Sequence, residues 1–209
     1  EEGDGLAVTD GEVMLDHLRV SGAFTAEDGT PRAGIRLSGS SSGAVSNCEV
    51  FGNSYNGIRV EDQAVIDISD CVASGNIYSG ILYLGESAGS VVRTACTGNG
   101  TNGITLMDSA QVELLDNSVD GNTDSGVAYF DASGGTARTN MVMNNGLHGI
   151  SVNDDAAPVL DGNTCNNNTE DGIVFFERSA GVATNNTCAE NGLHGIGVAN
   201  QAAPLLEEN

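Results

Sequence analysis

The chain has 209 residues, 39% of them apolar and only 4% aromatic, with 29 Gly, 3 Pro and no Trp. That length suits one domain or one long repeat array, and an interior so poor in rings has to be filled with small aliphatic side chains. The formal charge is −22 and all seven basic residues are Arg, which argues against nucleic-acid and anionic-membrane partners, while no apolar run reaches the roughly 18 residues that membrane insertion needs.

In chain order, Gly5–Val8 (GLAV) reads as a first short strand. The segment Gly22–Gly34 (GAFTAEDGTPRAG) is seven residues longer than the matching turn in later repeats, so residues 5–33 are expected to form an irregular first coil with a longer turn. From there the chain is periodic. Gly34, Gly57, Gly80, Gly103, Gly126, Gly149, Gly172 and Gly195 are each 23 residues apart. Ile or Val follows each one, and a second apolar residue stands two positions later, as in Ile58-x-Val60 and Ile173-x-Phe175. This period-two alternation predicts a strand with one buried face. A second strand is predicted around Val45, Ile68, Val91, Leu114, Ala137, Leu160, Ala183 and Leu206. A third is predicted around Val50, Ala73, Cys96, Val119, Val142, Cys165 and Cys188.

Three short strands in 23 residues cannot make a sheet of their own. They can make one coil of a parallel β-solenoid in which each coil pairs with its neighbours. The sequence therefore predicts a single all-β domain over residues 1–209, with regular coils over 34–194 and a partial last coil over 195–209. It counts about nine coils, roughly 43 Å at about 4.8 Å per coil. Two Asn columns are expected at the turns: Asn53 to Asn191 at every 23rd residue, and Asn117 to Asn209, preceded by Cys48, Cys71 and Thr94. Small and large residues alternate at Gly43, Ile66, Gly89, Val112, Gly135, Pro158, Gly181 and Pro204. Coils with Gly there carry bulk earlier, as Tyr83, Tyr129 and Phe175. The true unit is thus two coils of 46 residues, which explains why Asn145–Asn163 and Asn191–Asn209 match at 12 of 19 positions.

The pattern G-[IV]-x-[VLYF], followed by an [SA]-x-[GVIP]-x-[VILA] strand and the Asn columns, resembles the right-handed parallel β-helix repeat family. It is similar to the repeats of carbohydrate-binding and sugar-hydrolase domains, of mannuronan C5-epimerases, and of periplasmic copper-assembly β-helix proteins. The resemblance covers Gly5 to Asn209. It implies the right-handed winding, and it implies that the outer face of the first strand and its flanking turns carry any chemistry.

That face offers little sign of catalysis. Glu61 is its one acid, where a glycosidase needs a facing carboxylate pair; with Arg36 and Arg59 it reads either as a small ion cluster or, at least as well, as a surface salt bridge. The polygalacturonase-like "NTDSG" (Asn122–Gly126) and Asp154-Asp155 fall on different edges, no Lys exists, and the epimerase D-P-H motif is absent. Asp108, Asp131, Asp154 and Glu177 form a column that is a candidate Ca²⁺ or Na⁺ ladder. The alternative is that they cap turns through backbone N–H groups. His148, Asp171 and His194 form a candidate polar or metal site, although three ligands in a straight column suit tetrahedral coordination poorly, so a polar turn ladder is the preferred reading. Leu82, Leu84, Met107, Phe130, Val174 and Phe176 are a candidate contact surface for a polysaccharide, another protein domain or a second copy. The five Cys predict buried thiols rather than a disulfide framework, and Asn99, Asn167 and Asn185 head triplets that could carry glycans.

The reading is a non-catalytic extracellular or cell-surface module, a rigid scaffold or carbohydrate-binding platform. The alternatives are a carbohydrate-active enzyme domain (polysaccharide lyase, epimerase or hydrolase) and a self-assembling subunit joined through the strand face or the coil ends. The sequence opens without a signal peptide and stops partway round a coil without a cap, so we expect a segment of a longer protein, or a partner at that end.

Overall fold

The computed structural model of the chain describes residues 4–24 and 32–209. Most of the long first turn, residues 25–31, lies outside the described residues. Strands of three to five residues wind into three parallel sheets. The first sheet has nine strands, from Leu6–Thr9 through Ile81–Tyr83, Val127–Tyr129 and Ile173–Phe175 to Ile196–Val198. The second also has nine, from Glu12–Asp16 to Leu205–Glu207, and the third has seven, from Arg19–Ser21 to Thr164–Asn166. In all three, each strand pairs with the strand one coil away. Ile81 lies against Ile58 on one side and Ile104 on the other, and every later coil keeps this step. The first coil is the exception, with Leu6 against Ile35 and Glu12 against Ser42, so the additional residues enter there. No helix occurs among the described residues, and none is long and apolar enough to cross a membrane.

Such short strands persist because neither their ladders nor their core is local. Every coil donates backbone N–H groups to, and accepts them from, the coils on both sides, and the inward residues stack into one continuous core. Ile35, Ile58, Ile81, Ile104, Ile150 and Ile173 are wholly buried, and so are Tyr83, Tyr129 and Phe175. The aromatic coils are the glycine coils. Gly89 takes φ +132 and lies so close to the preceding coil that a Cβ would meet Ile66 O at 1.9 Å. The Tyr83 hydroxyl donates to that same Ile66 carbonyl at 2.6 Å. The backbone closes in where Gly allows it and the ring fills the volume this leaves, which is the physical basis of the 46-residue unit.

The Asn columns are continuous hydrogen-bond ladders. Asn122 donates Nδ2–H to Asn145 Oδ1 at 3.0 Å and to Cys96 O at 3.1 Å, while its Oδ1 accepts both the backbone N–H and Nδ2–H of Asn99. The same pattern links Asn117, Asn140, Asn163, Asn186 and Asn209. At the other end of that column Thr94 Oγ1 accepts from Cys71 N–H, and Cys71 Sγ from Cys48 N–H. Burial holds the Cys71 thiol up at about 11. All five cysteines are free.

The acid column has a specific backbone role. Asp62, Asp108, Asp131, Asp154 and Glu177 all have φ between 56 and 62°, and Gly39, Gly85 and Asn200 hold the same left-handed position in other coils. One carboxylate oxygen of each reaches back one coil to a backbone N–H: Asp131 accepts from Asp108, Asp154 from Asp131, and Glu177 from Asp154. The position selects for residues that tolerate this backbone region and can cap the turn before it.

Candidate functional site

Along the outer face of the first sheet runs a row of residues whose side chains point away from the core: Leu82, Thr105, Ala128, Ser151 and Val174, in register on successive coils. None of them is exposed. Leu82 keeps 6% of its surface and Val174 2%, so the proposed contact stripe is narrower than alternation predicts. Period-two alternation tells which face a side chain takes, not how high its flanks rise. On one flank stand the turn residues Ser79, Asn102, Ser125, His148 and Asp171. Ser79 Oγ and Asn102 Nδ2 both reach over the floor to Thr105 Oγ1, at 2.8 and 3.1 Å. On the other flank stand Leu84, Met107, Phe130, Asn153 and Phe176, all half-buried. The structure thus keeps Leu84, Met107, Phe130 and Phe176 as accessible members of the stripe and encloses Leu82 and Val174.

Between the flanks the face opens into a cleft of about 270 Å³. Phe130 and Phe176 stand on one side, Asn102, Asp124, Ser125, Leu147 and His148 on the other, with Ser151 and Asn153 lining it as well. The predicted column of His148, Asp171 and His194 does assemble here. His194 Nδ1 lies 2.7 Å from Asp171 Oδ1. His148 Nδ1 accepts the Asp171 backbone N–H at 3.2 Å, its Nε2 lies 3.3 Å from Glu170 Oε2, and its ring stands edge-on to Phe176 at 5.7 Å. In the neutral ring these contacts assign the proton to Nε2, facing Glu170. A protonated ring would also face the second Asp171 oxygen, 3.3 Å from Nδ1. His148 is buried and His194 exposed, so of the two imidazoles His148 is the one at the cleft. Among the described residues no group of three or more His, Cys, Asp or Glu is arranged to hold a metal ion.

Near the start of the same face, Glu61, 6% exposed, accepts from both Arg36 and Arg59, and Arg59 lies over the Tyr55 ring at 5.6 Å. This is the ion cluster expected from the sequence. Asp124 and Asp154 fall in the turns before and after the first-sheet strands, on opposite flanks. Sequence reasoning did not single out Asn102, Leu147 or Glu170, and reached Ser125 only within the NTDSG stretch and Asn153 only as an outward position of the face. They occupy turn positions whose residue type changes from coil to coil, so no periodic signal marks them.

A three-sheet parallel solenoid with Asn-lined turns and a cleft on its first sheet defines the class, a β-helix protein with an open lateral groove. The family described as "right handed beta helix region" matches residues 5–157 and 136–209, and the chain belongs to that family. No curated protein sequence matches the chain. Among solved structures, the chain is similar to the periplasmic alginate epimerase AlgG, with a TM-score of 0.73 at 16% identity over 87% of this chain and 51% of that one. It is also similar to pectate lyase Pel9A, with a TM-score of 0.58 at 11% identity over 96% and 67% of the respective chains. The mannuronan C-5 epimerase AlgE4 A-module of Azotobacter vinelandii gives a TM-score of 0.51 at 12% identity over 88% and 68%. Likeness at these identities concerns the fold, and the chain spans about half the length of AlgG.

Proposed function

We propose that the chain is a rigid, non-catalytic carbohydrate-binding platform of an extracellular or cell-surface protein, and that a glycan lies along the first-sheet cleft. The observation that supports it most is the pair of half-buried rings, Phe130 and Phe176, on one wall of a cleft whose opposite wall, Leu147 apart, is polar. Two coils separate them, about 9.6 Å, comparable to two linked pyranose rings, and aromatic faces are suited to the apolar faces of sugars. Fold neighbours named as alginate epimerase and pectate lyase support a polysaccharide partner, and a periplasmic neighbour supports placement outside the cytoplasm. Changing both Phe130 and Phe176 to Ser should abolish glycan binding in calorimetry while lowering Tm by only a few degrees. A large fall in Tm with binding intact would make the rings core and remove the platform.

One observation favours an enzyme instead. His148 opens onto the cleft with Asp171 and Glu170 behind it, an arrangement suited to proton transfer. Turnover of a polysaccharide that is lost in His148→Gln, with binding retained, would replace the platform reading with that one.

We also propose that the acid column gathers Ca²⁺ or Na⁺. With a net charge of −22, cations that favour the folded state raise its stability by mass action. Millimolar calcium or high NaCl should raise Tm. If neither does, and Asp131→Asn is neutral in low salt, the column serves only its turns.

A further inference from the structure

We infer that the cleft selects a sugar bearing a free ammonium group, a 2-amino-2-deoxyhexose residue, over a uronate. This rests on the carbohydrate-platform reading and names its ligand class. Three observations carry it. First, the wall facing the two Phe rings holds Asp124, half-buried, whose carboxylate has no hydrogen-bond or ion-pair partner within the chain. Second, Ser125 beside it is only 4% exposed, and its hydroxyl makes no hydrogen bond although it lines the cleft. That oxygen opens onto the cleft rather than into the core, so it is free to bond an incoming group. Third, no Arg lines the cleft. Arg19, Arg36, Arg59, Arg93, Arg138 and Arg178 all stand against carboxylates elsewhere, Arg178 with its Nε and Nη2 on Asp155 at 2.7 Å.

A uronate entering the cleft would bring a carboxylate toward Asp124 and Glu170 and meet no fixed cation. An ammonium would pair with Asp124 while Phe130 and Phe176 on the opposite wall hold the apolar faces of the sugar rings. The Ser125 hydroxyl and the Asn153 amide oxygen, whose Nδ2 is held by Tyr129 O and Ser151 Oγ, face the neutral positions of the sugar.

The test is calorimetric titration of the full chain at about 0.15 M salt, where long-range attraction to the net charge is largely screened. The probes are the hexamers of glucosamine, N-acetylglucosamine and mannuronate. The glucosamine hexamer should bind at least about tenfold more tightly than the acetylated one, and the mannuronate hexamer should not bind. Asp124→Asn should weaken the glucosamine hexamer about tenfold, while Glu113→Gln, an exposed acid on the second sheet, should leave it unchanged. Equal losses in both variants would mean unspecific attraction by the net charge and overturn the inference. Preference for the acetylated or the mannuronate hexamer would overturn it too and leave the platform standing. Binding of none of the three would remove both.

Discussion

Gly89→Ala is expected to destabilise the protein by at least about 3 kcal/mol. Left-handed or otherwise restricted backbone stores on the order of 1–3 kcal/mol when a side chain is forced into it. Here the new Cβ would in addition overlap Ile66 O at 1.9 Å, with Ile66 C at 2.6 Å. Neither atom can yield, because Ile66 is paired to the coils on both sides and its carbonyl also accepts the Tyr83 hydroxyl. Gly75→Ala is the matched control. Its φ of +58° lies in the ordinary left-handed region, nothing stands within 4 Å of the added atom, and its effect should stay near 1 kcal/mol. Urea unfolding of the two variants checks this, and equal losses would show that the close approach at Gly89 is not what defines the glycine coil.

Asn122→Ala should lower stability by about 4 kcal/mol. The substitution leaves the backbone N–H and the Nδ2–H of Asn99 without their acceptor, and it removes the donors to Cys96 O and Asn145 Oδ1. Asn122 and Asn99 are almost wholly buried, so water cannot replace those partners, and each orphaned buried group is worth about 1–3 kcal/mol. Ser118→Ala, an exposed third-sheet position on the same coil, should change stability by less than about 0.5 kcal/mol. A ladder contributing only propensity would make the two alike.

Both predictions concern positions that the bare sequence exposes, and the reason is geometric. Coils that pair with coils impose the same backbone path every 23 residues, so Gly34 through Gly195, the inward Ile column and the Asn ladders repeat visibly. Even the 46-residue alternation could be read, because Gly89 and Tyr83 answer one packing problem. The acid column was visible as a column, yet its cause lies in φ. The signal was the substitution of Gly39, Gly85 and Asn200 at that position, which marks a left-handed residue. The cleft was less legible. Leu82 and Val174 obey the outward parity of their strands but are buried all the same, which alternation does not describe. Asp124, Ser125 and Glu170 have no equivalents of the same type in neighbouring coils, since a site in a solenoid is where the repeat departs from itself. His148, Asp171 and His194 were legible as neighbours, whereas the burial of His148 beside Phe176 and Glu170 and the exposure of His194 were not.

The proposed ligand surface of the molecule is the first-sheet cleft between Phe130, Phe176 and His148. Nuclear magnetic resonance of the labelled chain, titrated with the glucosamine hexamer, tests it most directly. Saturable shifts are expected in the rings of Phe130, Phe176 and His148 and in the methyls of Leu147, with the exposed second-sheet residues Val65 and Gln111 unmoved. Shifts spread evenly over the acidic surface, or concentrated on the second or third sheet, would contradict it.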